Sequence, residues 1–271
     1  MVTRPLSPAG GPAGIRPSAL AAAAARAIES GRSDPLVVDP FAARLVAGSG
    51  LPTVWPDHGA PVSGAAATVL DDAAWTGLRT RAVDDAVASW LGGPGGPAQV
   101  VLLGSGLDTR AWRLPWPART RVYEVAGARV HTHNHRLLAD PPPVPEPVPA
   151  GADLAGGWHL ALQAAGHDPN RPTWWVAEGV LTDLTTGSAT AMLATIATSA
   201  PGSRAVLEAS DGPDPAAVLA RAGWQVDQVD ADDLQIRYRR SLRDPRLTAA
   251  AREQPGRAPR RLVLARRAPL G

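Results

Sequence analysis

The stretch from Gln99 to Asp108, Gln-Val-Val-Leu-Leu-Gly-Ser-Gly-Leu-Asp, constrains the fold more than any other part of the chain. Gln99–Leu103 is a continuous β-type run with no polar alternation, the pattern of a strand buried on both faces of a parallel sheet. Gly104-Ser105-Gly106 ends it at once. Glycines there let the backbone turn tightly and approach a ligand at the carboxyl end of the strand, where open α/β sheets bind nucleotides. The spacing is not GxGxxG, because Thr109 stands three residues beyond Gly106, and the P-loop lysine is missing. A phosphate-cradling turn is therefore disfavoured, and a plain strand-to-helix turn stays open as the alternative. Ser105 lacks the GxSxG context of a hydrolase nucleophile.

Further runs follow the same grammar. Arg121–Val125, Trp174–Gly179, Ser203–Glu208 and Arg261–Ala265 read as strands. Helical patterns cover Ser18 to Glu29, with Ser18 as N-cap, Phe41 to Val46, Asp71 to Leu91 and Ser188 to Ala197. In the third of these, Trp75, Leu78, Val83, Val87 and Leu91 share helical spacing, and Gly92 to Pro97 stops it. Residues 47–67 read as a loop or lid, and Pro141 to Pro149 as a connector. Strands alternating with helices predict an α/β protein with a doubly wound, mostly parallel sheet, its last two strands forming an antiparallel edge. The expected organisation is a flexible N-terminus at 1–17 and a single domain at 18–271. Its residues 18–97 supply helices and a lid, and 98–271 a Rossmann-like core.

Composition narrows the function classes. With 271 residues and no cysteine, the chain can bury one sizeable core and has neither disulfides nor thiolate metal sites. The alanine run from Ala19 to Ala25 is too short to span a bilayer and no secretory h-region is visible, so a soluble, cytoplasmic protein without membrane contact is expected. Every basic residue is an arginine, and 27 of them stand against 25 acids. A net charge of +2 gives little drive toward nucleic acid. The arginines from Arg237 onward read as a solvated edge, since no aromatic stacking platform is interleaved with them. His131, His133 and His135 alternate, but a helix is expected there, which scatters them and argues against a metal site. Trp174 and Trp175 read as sheet packing. Glu124 closes the second strand about twenty residues after the glycine turn, where an acid accepts from ribose hydroxyls in nucleotide-binding sheets. A solvent-facing carboxylate is the plainer alternative.

Leu102-Leu103-Gly104-Ser105-Gly106-Leu107-Asp108-Thr109-Arg110-Ala111-Trp112-Arg113-Leu114 resembles the signature of the leucine carboxyl methyltransferase-like family of S-adenosyl-L-methionine (SAM)-dependent methyltransferases, common in actinobacteria. The resemblance continues at Asp39–Val46, Arg79–Ala86, Tyr123-Glu124-Val125, Ala152-Asp153-Leu154 and Ala177–Leu181, in the expected order over residues 18 to 210. It implies a class I SAM methyltransferase-like Rossmann fold with SAM as cofactor. By that resemblance Arg79 and Arg26 pair with the SAM carboxylate, a fork-to-fork contact, with Arg81 a nearby substitute. Gly104 and Gly106 pass under the methionine part. Asp153 and Leu154 contact the adenine, and Glu178 faces the sulfonium or amino group.

Two departures qualify the resemblance. The family pattern Glu-Val-Asp, with a proline two residues later, is here Glu124-Val125-Ala126-Gly127-Ala128. The ribose-binding aspartate is thus missing at Ala126, which costs on the order of 1.5–3 kcal/mol of charged hydrogen bonding. Asp183 also stands where many relatives carry an aromatic residue. The sequence is read as a SAM-dependent O-methyltransferase acting on a small-molecule substrate, most simply its carboxylate, which needs no dedicated base. The alternative is a methyltransferase-like protein without methyl transfer, a SAM-independent catalyst or a binding subunit of a biosynthetic pathway.

Overall fold

The computed structural model describes residues 14–50, 64–91, 97–140, 143, 145–209, 212–242 and 260–269, the side chains of 64–72 excepted. Three helices come first: α1 (Pro17–Ser30), α2 (Ala42–Gly48) and α3 (Gly64–Leu91). Then β1 (Gln99–Leu103), α4 (Arg110–Arg113), β2 (Arg121–Ala126), α5 (Ala128–Leu138), β3 (Val148–Gly151) and α6 (Trp158–Ala164) alternate. They are followed by β4 (Thr173–Ala177), α7 (Thr186–Ala197), β5 (Arg204–Glu208), α8 (Pro215–Arg221), β6 (Gln225–Asp230), α9 (Ala231–Tyr238) and β7 (Arg261–Arg266).

The strands form one seven-stranded sheet in the order β3-β2-β1-β4-β5-β7-β6. All neighbours pair in parallel except at β7, which runs antiparallel to both β5 and β6. This is the class I SAM-dependent methyltransferase arrangement. The antiparallel pairing expected of the last two apolar runs is present as β5–β7, but β6 and not β7 is the edge strand. Winding reverses between β1 and β4, and that switch point is where such sheets open a crevice beyond their carboxyl ends.

Both faces of β1 are covered, which explains its unbroken apolar run. Val101 and Leu103 pack with Tyr123, Val125, Trp175 and Ala177 against Leu162 of α6, Met192, Leu193 and Ile196 of α7, and Leu219 of α8. Val100 and Leu102 pack with Val122, Trp174 and Val176 against Leu78, Val83 and Val87 of α3 and Leu234 of α9. Trp174 and Trp175 are therefore buried on opposite faces as packing residues. A third cluster, with Ala23, Leu45, Val46, Leu107, Val130 and Leu138, fixes α1, α2 and α5 beside the end of β2.

Several local expectations change. Pro17 takes the first position of α1, so Arg16 occupies the N-cap, and the Ser18 hydroxyl instead donates to Asp183 Oδ2 at 2.5 Å. The supposed loop at 47–67 is helical at both ends, since α2 runs to Gly48 and α3 starts at Gly64; residues 51–63 lie outside the described residues, as do 92–96. The solvated edge from Arg237 onward does not hold at Arg240, whose buried guanidinium donates to both Glu29 oxygens at 3.0 and 3.2 Å. The arginines between 243 and 259 lie outside the described residues.

Candidate functional site

The turn after β1 is built as the sequence implies. Gly104 and Gly106 both have positive φ, +63° and +49°, which side-chain-bearing residues rarely adopt. Space forbids a side chain as well. A Cβ on Gly104 would lie 2.6 Å from Val180 Cγ2 and 3.0 Å from Leu154 Cδ1, and one on Gly106 would lie 2.8 Å from Ala19 Cβ. The turn is pinned sideways: the Ser105 N–H donates to the Val125 carbonyl at 3.2 Å, and Asn134 Nδ2 to the Gly106 carbonyl at 2.8 Å.

Above it opens a cavity of about 630 Å³, within the range that holds a cofactor-sized ligand. One wall comes from α1 and α3, with Arg26, Trp75 and Arg79; the floor is the glycine turn, and the other wall is made of strand-end residues. Of the residues singled out from sequence, Arg26, Arg79, Gly104, Gly106, Asp153, Leu154 and Glu178 all line it. Ala126, where the aspartate is missing, lines it too. Arg81 does not; it pairs with Asp85 at 2.9 Å and donates to the Leu36 carbonyl at 3.2 Å.

Glu124 lies off the cavity, so the ribose role expected of it meets no support in its placement. It points to the α3 face of the sheet and is 3% exposed, with Oε1 lacking a hydrogen-bond partner. Burial, and secondarily the negative charge of Asp108, push its carboxyl up to about 8. Glu124 therefore carries a proton at neutral pH and presents no anion to a sugar.

Beneath the cavity runs a buried ionic network. Arg110, 1% exposed, donates from Nε to Asp84 at 2.7 Å, from Nη1 to Asp108 at 2.7 Å and Glu178 at 3.0 Å, and from Nη2 to Glu178 at 2.9 Å. Arg113 takes the other side of Asp84 at 2.6 Å. Arg79 pairs with Glu208 at 2.6 Å and approaches Glu178 at 3.6 Å. Glu208 also accepts from the Trp75 indole at 2.7 Å and the Gly179 N–H at 2.6 Å. Arg26 donates to Asp39 at 2.9 Å and to the Leu107 carbonyl at 2.5 Å.

These pairings set the charge states. Burial works against the Asp108 carboxylate, but Arg110, then Arg26, outweigh it and hold the pKa at about 2. At Asp39, burial is outweighed by Arg26 and the Thr109 hydroxyl, and the carboxyl lies below its ordinary value. Desolvation opposes the Arg79 charge, yet Glu208 and Glu178 raise its pKa further. Among the described residues no three histidine or acidic side chains gather as a metal site, and α5 spreads the three histidines apart.

At the mouth, Arg16 reaches Asp153 at 3.4 Å and Asp183 at 3.9 Å, joining the loops after β3 and β4. Asp183 thus serves as a partner for the start of α1. The sequence reading missed Asp108, Arg110 and Glu208. Asp108 and Arg110 lie inside the glycine motif, and Glu208 ends β5 as an acid at a strand end, the signal that singled out Glu124.

The family model described as leucine carboxyl methyltransferase matches residues 19–197. The chain belongs to that family. A protein of Mycolicibacterium gilvum named "Putative S-adenosyl-L-methionine-dependent methyltransferase" is 36% identical over 238 residues, covering 86% of this chain and 92% of the relative. A Parafrankia protein of the same description is 40% identical over 207 residues, covering 74% of this chain and 65% of its own length, so the family member here spans under two thirds of that relative. An O-methyltransferase family protein from Burkholderia thailandensis superposes with a TM-score of 0.46 at 13% identity, covering 75% of this chain and 60% of that one, too loosely to bear on function.

Proposed function

We propose that this family member is a SAM-dependent O-methyltransferase that methylates a carboxylate of a small molecule. The observation that carries the reading is the cavity at the β1/β4 switch point, floored by Gly104 and Gly106 and bordered by Glu178. The fit to SAM rests on the same residues. The glycine turn leaves a bare backbone cradle that a Cβ would fill. Leu154 offers an apolar wall beside the Asp153 carboxylate for an adenine and its amine. Asp108 and Glu178 give the deep part the negative charge that a sulfonium and an ammonium favour. Arg79 and Arg26 line the cavity as the guanidinium partners for a carboxylate end, Arg26 already holding Asp39 and Arg79 holding Glu208 and Glu178.

SAM, when bound, supplies a methyl carbon activated by its sulfonium. The protein's share is to orient the two reactants and exclude water. Among the described acids that line the cavity none is free of a guanidinium partner: Asp108 and Glu178 are held by Arg110, Glu208 by Arg79, and Asp153 and Asp183 by Arg16. A carboxylate acceptor is ionised at neutral pH and needs no base. The second reading, a methyltransferase-like protein without methyl transfer, draws on one observation. Ala126 leaves the β2 end of the cavity without an acid, and Glu124 is too deep to replace it.

The test is transfer from SAM carrying a tritiated methyl group to a panel of small aliphatic and aromatic carboxylic acids. Methyl esters release volatile tritiated methanol on mild alkaline treatment, and that release is the expected result. Base-stable products would move the acceptor to another atom. Absence of transfer to any acid, with SAM bound, would favour the second reading.

A further inference from the structure

We propose that Arg110 is the positioning residue of the cavity's cation subsite, holding the carboxylates of Asp108 and Glu178 together as anions beneath the positive end of the ligand. The inference rests on the reading that the cavity takes SAM, and it gives a role to a residue that does not itself line the cavity. Arg110 is assigned by its bonds. A guanidinium has five N–H groups. Here they account for Asp84 Oδ1, Asp108 Oδ2, both oxygens of Glu178, and the Thr80 carbonyl at 3.5 Å. Its own carbonyl accepts from the Trp116 indole at 2.8 Å, which fixes the backbone of α4.

Three elements meet on this one side chain: Asp84 from α3, Asp108 from the turn after β1, and Glu178 from the end of β4. The two acids that line the cavity share a single nitrogen, Nη1. Side by side in a dry interior, two carboxylates repel and one takes up a proton unless a cation lies between them. Among the described residues that line the cavity, Arg16, Arg26, Arg79 and Arg260 stand against Asp108, Asp153, Glu178, Asp183 and Glu208, an excess of one negative charge, and beyond the lining Arg110 and Arg113 match Asp39 and Asp84 in number. Glu124, the remaining acid near Asp108, adds none because it is protonated. The surplus beside the cavity suits a monocation. Removing the Arg110 fork would strip Asp108 of the guanidinium that chiefly outweighs its burial, and its carboxyl would rise from about 2. A lysine keeps the charge but offers three donors from one point and cannot span three acids.

The experiment is calorimetric titration of the wild type and Arg110→Lys with SAM, and separately with S-adenosylhomocysteine, which lacks the sulfonium charge, at pH 7 and pH 5.5. For the wild type the SAM Kd is expected to change less than twofold between the two. In Arg110→Lys it is expected to weaken at least fivefold on acidification, with S-adenosylhomocysteine changing less than twofold. A variant whose SAM affinity is lower but has the wild-type pH profile would overturn the assignment and leave Arg110 a structural ion pair. Should Arg110→Lys not fold, Asp108→Asn tests the same point: about tenfold weaker SAM binding with less than threefold loss for S-adenosylhomocysteine supports it, and equal losses overturn it. Wild-type protein that binds neither compound overturns the functional reading and this inference together, whereas parallel pH profiles overturn only the inference.

Discussion

Glu124→Gln should stabilise the protein, increasingly so as the pH rises. The carboxyl titrates near 4.5 when free and at about 8 in the fold, because burial and the Asp108 charge disfavour its anion. Between these values the native state holds a proton that the unfolded chain has released, so unfolding becomes progressively easier with rising pH. The penalty is absent below about pH 4.5, grows by roughly 1.4 kcal/mol per pH unit, and is complete above about pH 8. Full development would reach about 5 kcal/mol; relaxation of the pocket and a compact unfolded state reduce what is measured. Glutamine keeps the shape and the acceptor facing the Trp112 indole without an ionisation to suppress. Urea unfolding of both proteins at pH 5 and pH 8 isolates the effect, since every other titration is common to the pair. The stability difference, variant minus wild type, is expected to grow by about 2–4 kcal/mol between the two pH values. Growth of less than about 1 kcal/mol would refute the argument that a neutral buried acid lies under the cavity.

Ala126→Asp returns a carboxylate to the β2 end of the cavity, where ribose hydroxyls can donate to it. SAM should bind more tightly by about 1.5–3 kcal/mol, and a gain below about threefold in a titration against wild type counts against a weakened ribose site. Gly104→Ala forces a left-handed residue against Val180 and Leu154 and should cost on the order of 1–3 kcal/mol in unfolding free energy together with loss of SAM binding. A variant as stable as wild type would mean that the turn relaxes.

What the sequence disclosed and what it concealed separate along physical lines. β1, β2 and β4 are legible because strands covered on both faces must be apolar at nearly every position, as Val100 to Leu103 are. β6 is not, because Gln225–Asp230 is an edge strand with mostly exposed side chains. Its two valines, Val226 and Val229, are three apart and pack on opposite faces, which breaks the period-2 pattern. β3 is hidden by its brevity and by Pro149. At the site, glycines are legible since their backbone demands are local. Arg110 is not, because its partners Asp84 and Glu178 lie 26 and 68 residues away, and no local pattern announces them. Glu124 misled for the same reason: an acid near a strand end looks alike in sequence whether it opens on a cavity or lies beneath one.

The most direct measurement is calorimetric titration of the purified wild-type protein with SAM at neutral pH. A cavity of about 630 Å³ floored by Gly104 and Gly106, with Asp108 and Glu178 held as anions, predicts saturable one-to-one binding that Gly104→Ala abolishes. No heat at millimolar SAM, from protein shown to be folded, would contradict the account.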